Sequence, residues 1–130
     1  MLTLKEIKKN IVKTNNVETI TFGDIYKNWN VKEIKYPSIN INLESSTIVN
    51  GSVTYKFIIT YADNLIEDKR NELQIYDEAT TTLYNYIDMF SEDVVIDSKT
   101  FTYFNENFAD CVAGAFSEIE ITLPFQKKCL

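Results

Sequence analysis

An Asn-Gly pair set between two alternating runs is the feature that most constrains how this chain folds. Residues 36–62 read YPSININLESSTIVNGSVTYKFIITYA. Ile39, Ile41 and Leu43 alternate with Asn40, Asn42 and Glu44, and Val53, Tyr55, Phe57, Ile59 and Tyr61 alternate with Thr54, Lys56, Ile58 and Thr60. Side chains two apart share one face of a strand, so each run predicts a half-buried strand. Asn50-Gly51 tolerates the positive φ angles of a tight hairpin turn, and Pro37 suits a strand start. A two-residue loop would set Leu43 against Ile58 and Ile41 against Thr60, mismatching the apolar faces. A three-residue loop, Asn50-Gly51-Ser52, or a bulge removes that conflict; the three-residue loop sets Leu43 against Ile59. The tip around residues 44–53 is expected to project beyond the sheet as an arm.

Downstream the period changes. Leu73, Tyr76, Thr80, Leu83, Ile87 and Phe90 follow three-four spacing, joined by Ala79 and Tyr86, which predicts a long helix over about 70–90. Thr3-Leu4-Lys5-Glu6 fits a capping box. Leu4, Ile7 and Ile11 then share a face, giving a short amphipathic N-terminal helix over 3–14 that Asn15-Asn16 end. Its lysines read as a solvated or partner-facing surface. Val94-Val95-Ile96 and Thr100–Phe104 suggest a second hairpin-like unit, and a last strand runs from Cys111 to Leu123, stopped by Pro124. The expectation is one domain over 1–130 of α+β class: an antiparallel sheet with the long helix and the N-terminal helix on one side.

Residues 17–35 give a weaker signal. Val17–Phe22 alternates like a strand and Gly23-Asp24 marks a turn. Tyr26, Trp29 and Ile34 then stand in a polar stretch, either covering one end of the core or forming a contact surface.

Much chemistry is excluded by what the chain lacks. It has no histidine, which removes the commonest metal ligand and every Ser-His-Asp or Cys-His site. No Walker A loop, GxGxxG or GxSxG elbow is present, and no catalytic, cofactor or metal residue is assigned. Glu118 and Glu120 share a strand face and could pair, but glutamates alternating with Ile119 and Ile121 are the pattern of an outward strand surface. Cys111 has no cation close in sequence, and Asp110 beside it disfavours a thiolate. It is expected to fill a small buried space. Gly114 is expected to permit a close backbone approach or a bulge. The net charge of −6 argues against adhesion to nucleic acid or anionic membrane. Residues 1–10, MLTLKEIKKN, carry no apolar h-region, so no secretory signal is expected, and two distant cysteines point to a reducing compartment.

Three stretches, YPSININLESS, SVTYKFIITYADN…NELQIYDEATTTLYNYI and FADCVAGAFSEIEITLP, together with the order of elements over about 36–125, resemble the tail-completion, tail-terminator-like and neck-ring proteins of tailed bacteriophages. That resemblance implies a tail-terminator-like fold and a non-enzymatic structural subunit without cofactor. It would form a homo-oligomeric ring, hexamer or dodecamer, between portal or adaptor and the other neck or tail proteins. It would be made in the host bacterial cytoplasm and end in the virion. The genome would pass through the lumen without specific binding, and no membrane is involved. A ring needs head-to-tail contacts that close, for which Tyr26, Trp29, Ile48, Val49, Asn50 and Gly51 are the candidates. The alternatives are a small acidic binding or inhibitor protein, acting by protein–protein interaction, and a carboxylate-dependent hydrolase using Glu118 and Glu120.

Overall fold

The computed structural model describes residues 17–30, 34–65, 71–88, 100–107 and 111–124. The N-terminal helix expected over 3–14, Phe90 and the run 94–96 lie outside the described residues. The elements are β1 (Thr19–Phe22), α1 (Ile25–Trp29), β2 (Ser38–Val49), β3 (Ser52–Asn64), α2 (Glu72–Asp88), β4 (Thr102–Asn107) and β5 (Cys111–Pro124). The strands form one sheet of order β1-β2-β3-β5-β4. The fold is thus mixed α+β, and the sheet is mostly antiparallel. Its β1 edge corrects the expectation of a purely antiparallel sheet, because β1 runs parallel to β2, pairing Thr19–Phe22 with Ser38–Ile41.

The central hairpin resolves the register conflict through its second route. Val49 pairs with Ser52, so the loop is only Asn50-Gly51, and both take positive φ, 46° and 79°, as a type I′ turn requires. The three-residue loop is therefore not formed. Instead Glu44 is the extra residue of a bulge: Ser45 pairs with Lys56 and Leu43 with Phe57. The bulge shifts the strand by one residue, which moves every side chain before it to the other face. Ile39, Ile41 and Leu43 thereby join Tyr61, Ile59 and Phe57 on one side.

That side is the core. Ile39, Ile41, Phe57, Ile59, Tyr61, Ala113, Ala115, Ile119 and Ile121 are buried against Ile75, Ala79, Leu83, Tyr86 and Ile87 of α2. Burying a leucine or isoleucine here contributes about 1.5–3 kcal/mol, so α2 anchors the sheet. Its inward face differs in detail from the sequence expectation. Leu73 is 80% exposed, while Ile75, outside the expected set, is buried. The helix begins close to the expected position, but the stripe that contacts the sheet is led by Ile75-Ala79-Thr82/Leu83-Tyr86/Ile87.

Among the described residues, a second apolar cluster lies on the opposite face. Trp29 of α1 packs with Ala62 and Val112, flanked by Ile25, Ile34, Tyr36 and Phe104. These sheet residues occupy the alternate positions to the core set, so α1 lies across the sheet from α2. Helices on one side only is thus corrected by a five-residue helix that the weak signal over 17–35 did not predict.

Strand β3 remains paired with β5 from Ser52–Pro124 to Asn64–Val112. The hairpin tip is therefore part of a three-stranded extension and not a free two-stranded arm. Helix α2, 17 residues long, spans about 25 Å at 1.5 Å per residue. Strand β5, 14 residues long, spans roughly 45 Å. The strand is thus longer than the helix packed on it.

Candidate functional site

Glu118 and Glu120 are exposed on the face away from α2. Lys56 Nζ lies 3.4 Å from Glu118 Oε2, and Lys56 pairs in register with Glu120. The lysine pairs with Glu118 and stands opposite Glu120 in register, a cross-strand arrangement of charges common on a solvated sheet face. Among the described residues no three His, Cys, Asp or Glu side chains cluster to hold a metal. No described helix is long and apolar enough to cross a membrane.

Cys111 departs from expectation: its side chain is exposed, at the first position of β5. It closes the β4–β5 hairpin opposite Asn107, and its carbonyl accepts from the Leu65 amide at 3.0 Å. The small buried position belongs instead to Gly114. A Cβ there would strike the Tyr61 carbonyl oxygen and lie 2.8 Å from Tyr61 C and 2.9 Å from Ala62 Cα. The expected close backbone approach is present.

A buried polar network fixes β1 and α1 to the sheet. Asn40 is almost fully buried. Its Oδ1 accepts from Thr21 Oγ1 at 2.7 Å and from Asn28 Nδ2 at 2.9 Å, while its Nδ2 donates to the Gly23 carbonyl at 2.9 Å. Asn28 Nδ2 also donates to the Phe22 carbonyl at 2.9 Å, and Trp29 Nε1 donates to Thr21 Oγ1 at 3.1 Å. A buried amide satisfied this fully costs little and imposes one arrangement on its partners. The turn Gly23-Asp24 and helix α1 are held by side chains more than by a large apolar core.

The candidate contact residues separate accordingly. Trp29 is 0% exposed; it fills the second apolar cluster, so an exposed surface around it is corrected to a buried anchor. Tyr26, on the same short helix, points outward and is 55% exposed. Ile48 and Val49 are 58% and 59% exposed, and Asn50 and Gly51 form the exposed turn beside them. Tyr26 and the tip residues belong to different parts of the sheet.

Two further exposed apolar residues are brought to this edge without having been anticipated. Leu43 is 41% exposed, and Phe22, paired in register with Ile41, is also exposed. Phe22, Leu43 and Ile48 share the face that carries Ile41, Phe57 and Val53. The apolar face of the sheet thus continues sideways to the β2 edge without cover. Every residue from Leu43 to Asn50 is exposed, while Val53, Phe57, Ile121 and Leu123 on the neighbouring strands are buried.

A second titratable group sits away from the tip. Burial holds the Asp63 carboxyl above its usual range, with the Asn64 amide opposing and Glu78 adding to the effect. Burial, then Asp63 and Glu78, likewise pushes the Tyr61 phenol up. Among the described residues the Tyr61 hydroxyl and the Ser117 Oγ find no hydrogen-bond partner. Two nearby acids disfavour ionisation of a buried phenol, so Tyr61 is held in its neutral form.

No protein-family model matches this chain, and no curated protein matches it.

Proposed function

We propose that this chain is a structural subunit of a tailed-phage virion. It would form a ring in the head–tail connector, neck or proximal tail and join portal or adaptor to the tail. The observation that carries the reading is the three-stranded end of the sheet at the Asn50-Gly51 turn, whose edge strand exposes Leu43, Ile48 and Val49. A monomeric surface rarely offers consecutive aliphatic side chains on a fixed strand without a protein partner to cover them. The pattern of motifs over about 36–125 supports the same reading. A net charge of −6 suits a lumen through which DNA moves, because such a subunit does not collect phosphates.

In this reading the exposed tip and Tyr26 supply two separate contact areas, as a head-to-tail ring requires. The carboxylates are surface charge, and the protein acts by assembly and not by catalysis. The test is native mass spectrometry of the purified chain mixed with the adjoining neck proteins, followed by negative-stain imaging. The expected result is a closed ring of six or twelve copies of the 15.1 kDa subunit. A one-to-one complex with a basic enzyme, and no ring, would instead establish the acidic inhibitor.

A further inference from the structure

We propose that the open edge of β2 pairs antiparallel with the same edge of a second copy of this chain, about a two-fold axis through Thr47. The hydrogen-bonding polarity of the hairpin leads to this register. Val49 and Ser52 flank a two-residue turn, where the flanking pair exchanges both main-chain hydrogen bonds. Alternation then turns Thr47 and Ser45 towards β3 and leaves the N–H and C=O of Ser46 and Ile48 directed outward. On that side β1 ends at Phe22, and the last bond is the Gly23 amide to the Ile41 carbonyl at 3.0 Å. Beyond it, no described strand pairs with β2, and residues 43–50 are all exposed.

With Thr47 on the axis, Ser46 of one copy faces Ile48 of the other, and the reverse. Both are outward-directed, so about four inter-copy main-chain hydrogen bonds form. Ser45 then faces Val49, and Glu44 faces Asn50. The chain carries a net charge of −6, yet Glu44 is the only charged residue between Ser38 and Ser52. In this register the two Glu44 side chains stand six positions apart, roughly 20 Å, beyond the ~8–10 Å screening length at ordinary salt. The edge is therefore a place where two acidic copies meet without repulsion. Its defences are also thin. Natural edges are guarded by lysine, proline or inward charge, and here there is only the bulge at Glu44.

The contact is isologous and thus differs from the head-to-tail contacts of a ring; it stands whether or not the ring reading does. It draws on the same tip residues as the proposed ring contact, so one tip makes one contact or the other, and the dimer belongs to the chain outside a ring. One strand pair falls below the size of a stable standard interface, so the association is weak and concentration-dependent.

Two measurements test it. Sedimentation equilibrium of the wild type over about a hundredfold range reaching the high micromolar, where interfaces of this size associate, is expected to show growing dimer. Ser46→Pro removes an outward amide and leaves the hairpin's own bonds intact. It should weaken the dimer at least tenfold with an unchanged circular dichroism spectrum and melting midpoint. In a Cys111→Ser, Cys129→Ser background, Thr47→Cys should oxidise to a disulfide dimer. Opposed residues of a non-hydrogen-bonded pair lie about 4.5 Å apart, within disulfide reach. Thr54→Cys, on the neighbouring strand, should not cross-link. A wild type that stays monomeric while Thr47→Cys cross-links no faster than Thr54→Cys overturns the proposal. So does a Ser46→Pro variant, folded, that associates as well as wild type in any assembly.

Discussion

Replacing Gly114 with alanine should destabilise the protein more than its single added methyl suggests. Gly114 is buried in β5, between Ala62 of β3 and Phe104 of β4. The new Cβ would overlap the Tyr61 carbonyl oxygen and lie 2.8 Å and 2.9 Å from Tyr61 C and Ala62 Cα. Ordinary carbon contacts need about 3.5–4.0 Å, so β5 and β3 must separate by the better part of an ångström. All three colliding atoms are main chain, so no side-chain rotation relieves them. Overpacking a core usually costs about 1–3 kcal/mol, and this site belongs at the upper end. Loss of glycine's freedom in the unfolded chain returns about 0.4–1 kcal/mol, leaving a net loss near 2–3 kcal/mol. With a urea slope of about 1–3 kcal/mol per molar, the midpoint should fall by roughly 0.7–3 M. Equilibrium urea unfolding followed by circular dichroism reads this directly. A midpoint within about 0.3 M of wild type at unchanged slope would refute the close approach of β5 to β3.

Other outcomes follow from the same geometry. Deleting Glu44 removes the bulge while keeping Leu43 opposite Phe57. Urea unfolding should therefore show a loss under about 1 kcal/mol, where deleting Asn40 should abolish cooperative folding. Asn40→Ala removes the partner of the Gly23 carbonyl and the acceptor of Thr21 Oγ1 and of one Asn28 amide hydrogen, and should cost about 1–3 kcal/mol in the same assay. The sole tryptophan is fully buried, so native fluorescence should be blue-shifted, and Trp29→Ala should cost about 3–5 kcal/mol. At Asp63 the native carboxyl holds its proton more tightly than the unfolded one, so ionisation disfavours the native state. Stability should therefore fall as pH rises from about 3.9, the unfolded value, through the raised native value. Asp63→Asn should raise the neutral-pH melting midpoint and flatten that slope; a midpoint lowered by the substitution would contradict it.

The strands and the long helix were legible because their apolar periods are long and unbroken. Ile39 to Leu43, Val53 to Tyr61 and Ala115 to Leu123 each carry alternation that only one pairing can bury together. Even the need for a bulge could be read from the mismatch between Leu43 and Ile58. Its position could not, because an extra residue at Glu44 and a longer loop both restore the faces, and Asn50-Gly51 favoured the shorter turn. Ile75 escaped notice since Leu73 and Tyr76 fit the same spacing a residue away. The placement of β1 and α1 depends on hydrogen bonds from Asn40, Asn28 and Thr21, and in a sequence a buried asparagine in a strand looks like any outward polar residue. Trp29 and Cys111 were misplaced for a related reason: burial there is decided by what α1 and the start of β5 pack against, not by neighbours along the chain. Of the candidate contact residues, the exposed tip could be read from the hairpin itself, whereas the exposure of Phe22 and Leu43 emerges only because β1 stops at Phe22, opposite Ile41, and no described strand pairs with the β2 edge beyond it.

Quantitative mass spectrometry of virions purified from a tailed phage whose genome carries this sequence, as the proposed function requires, tests the central claim most directly. The account predicts the chain in intact particles at about six or twelve copies, in fixed ratio to the portal and retained in particles stripped of their distal tails. Its absence from particles, with the chain found only as soluble protein in infected cells, would contradict it.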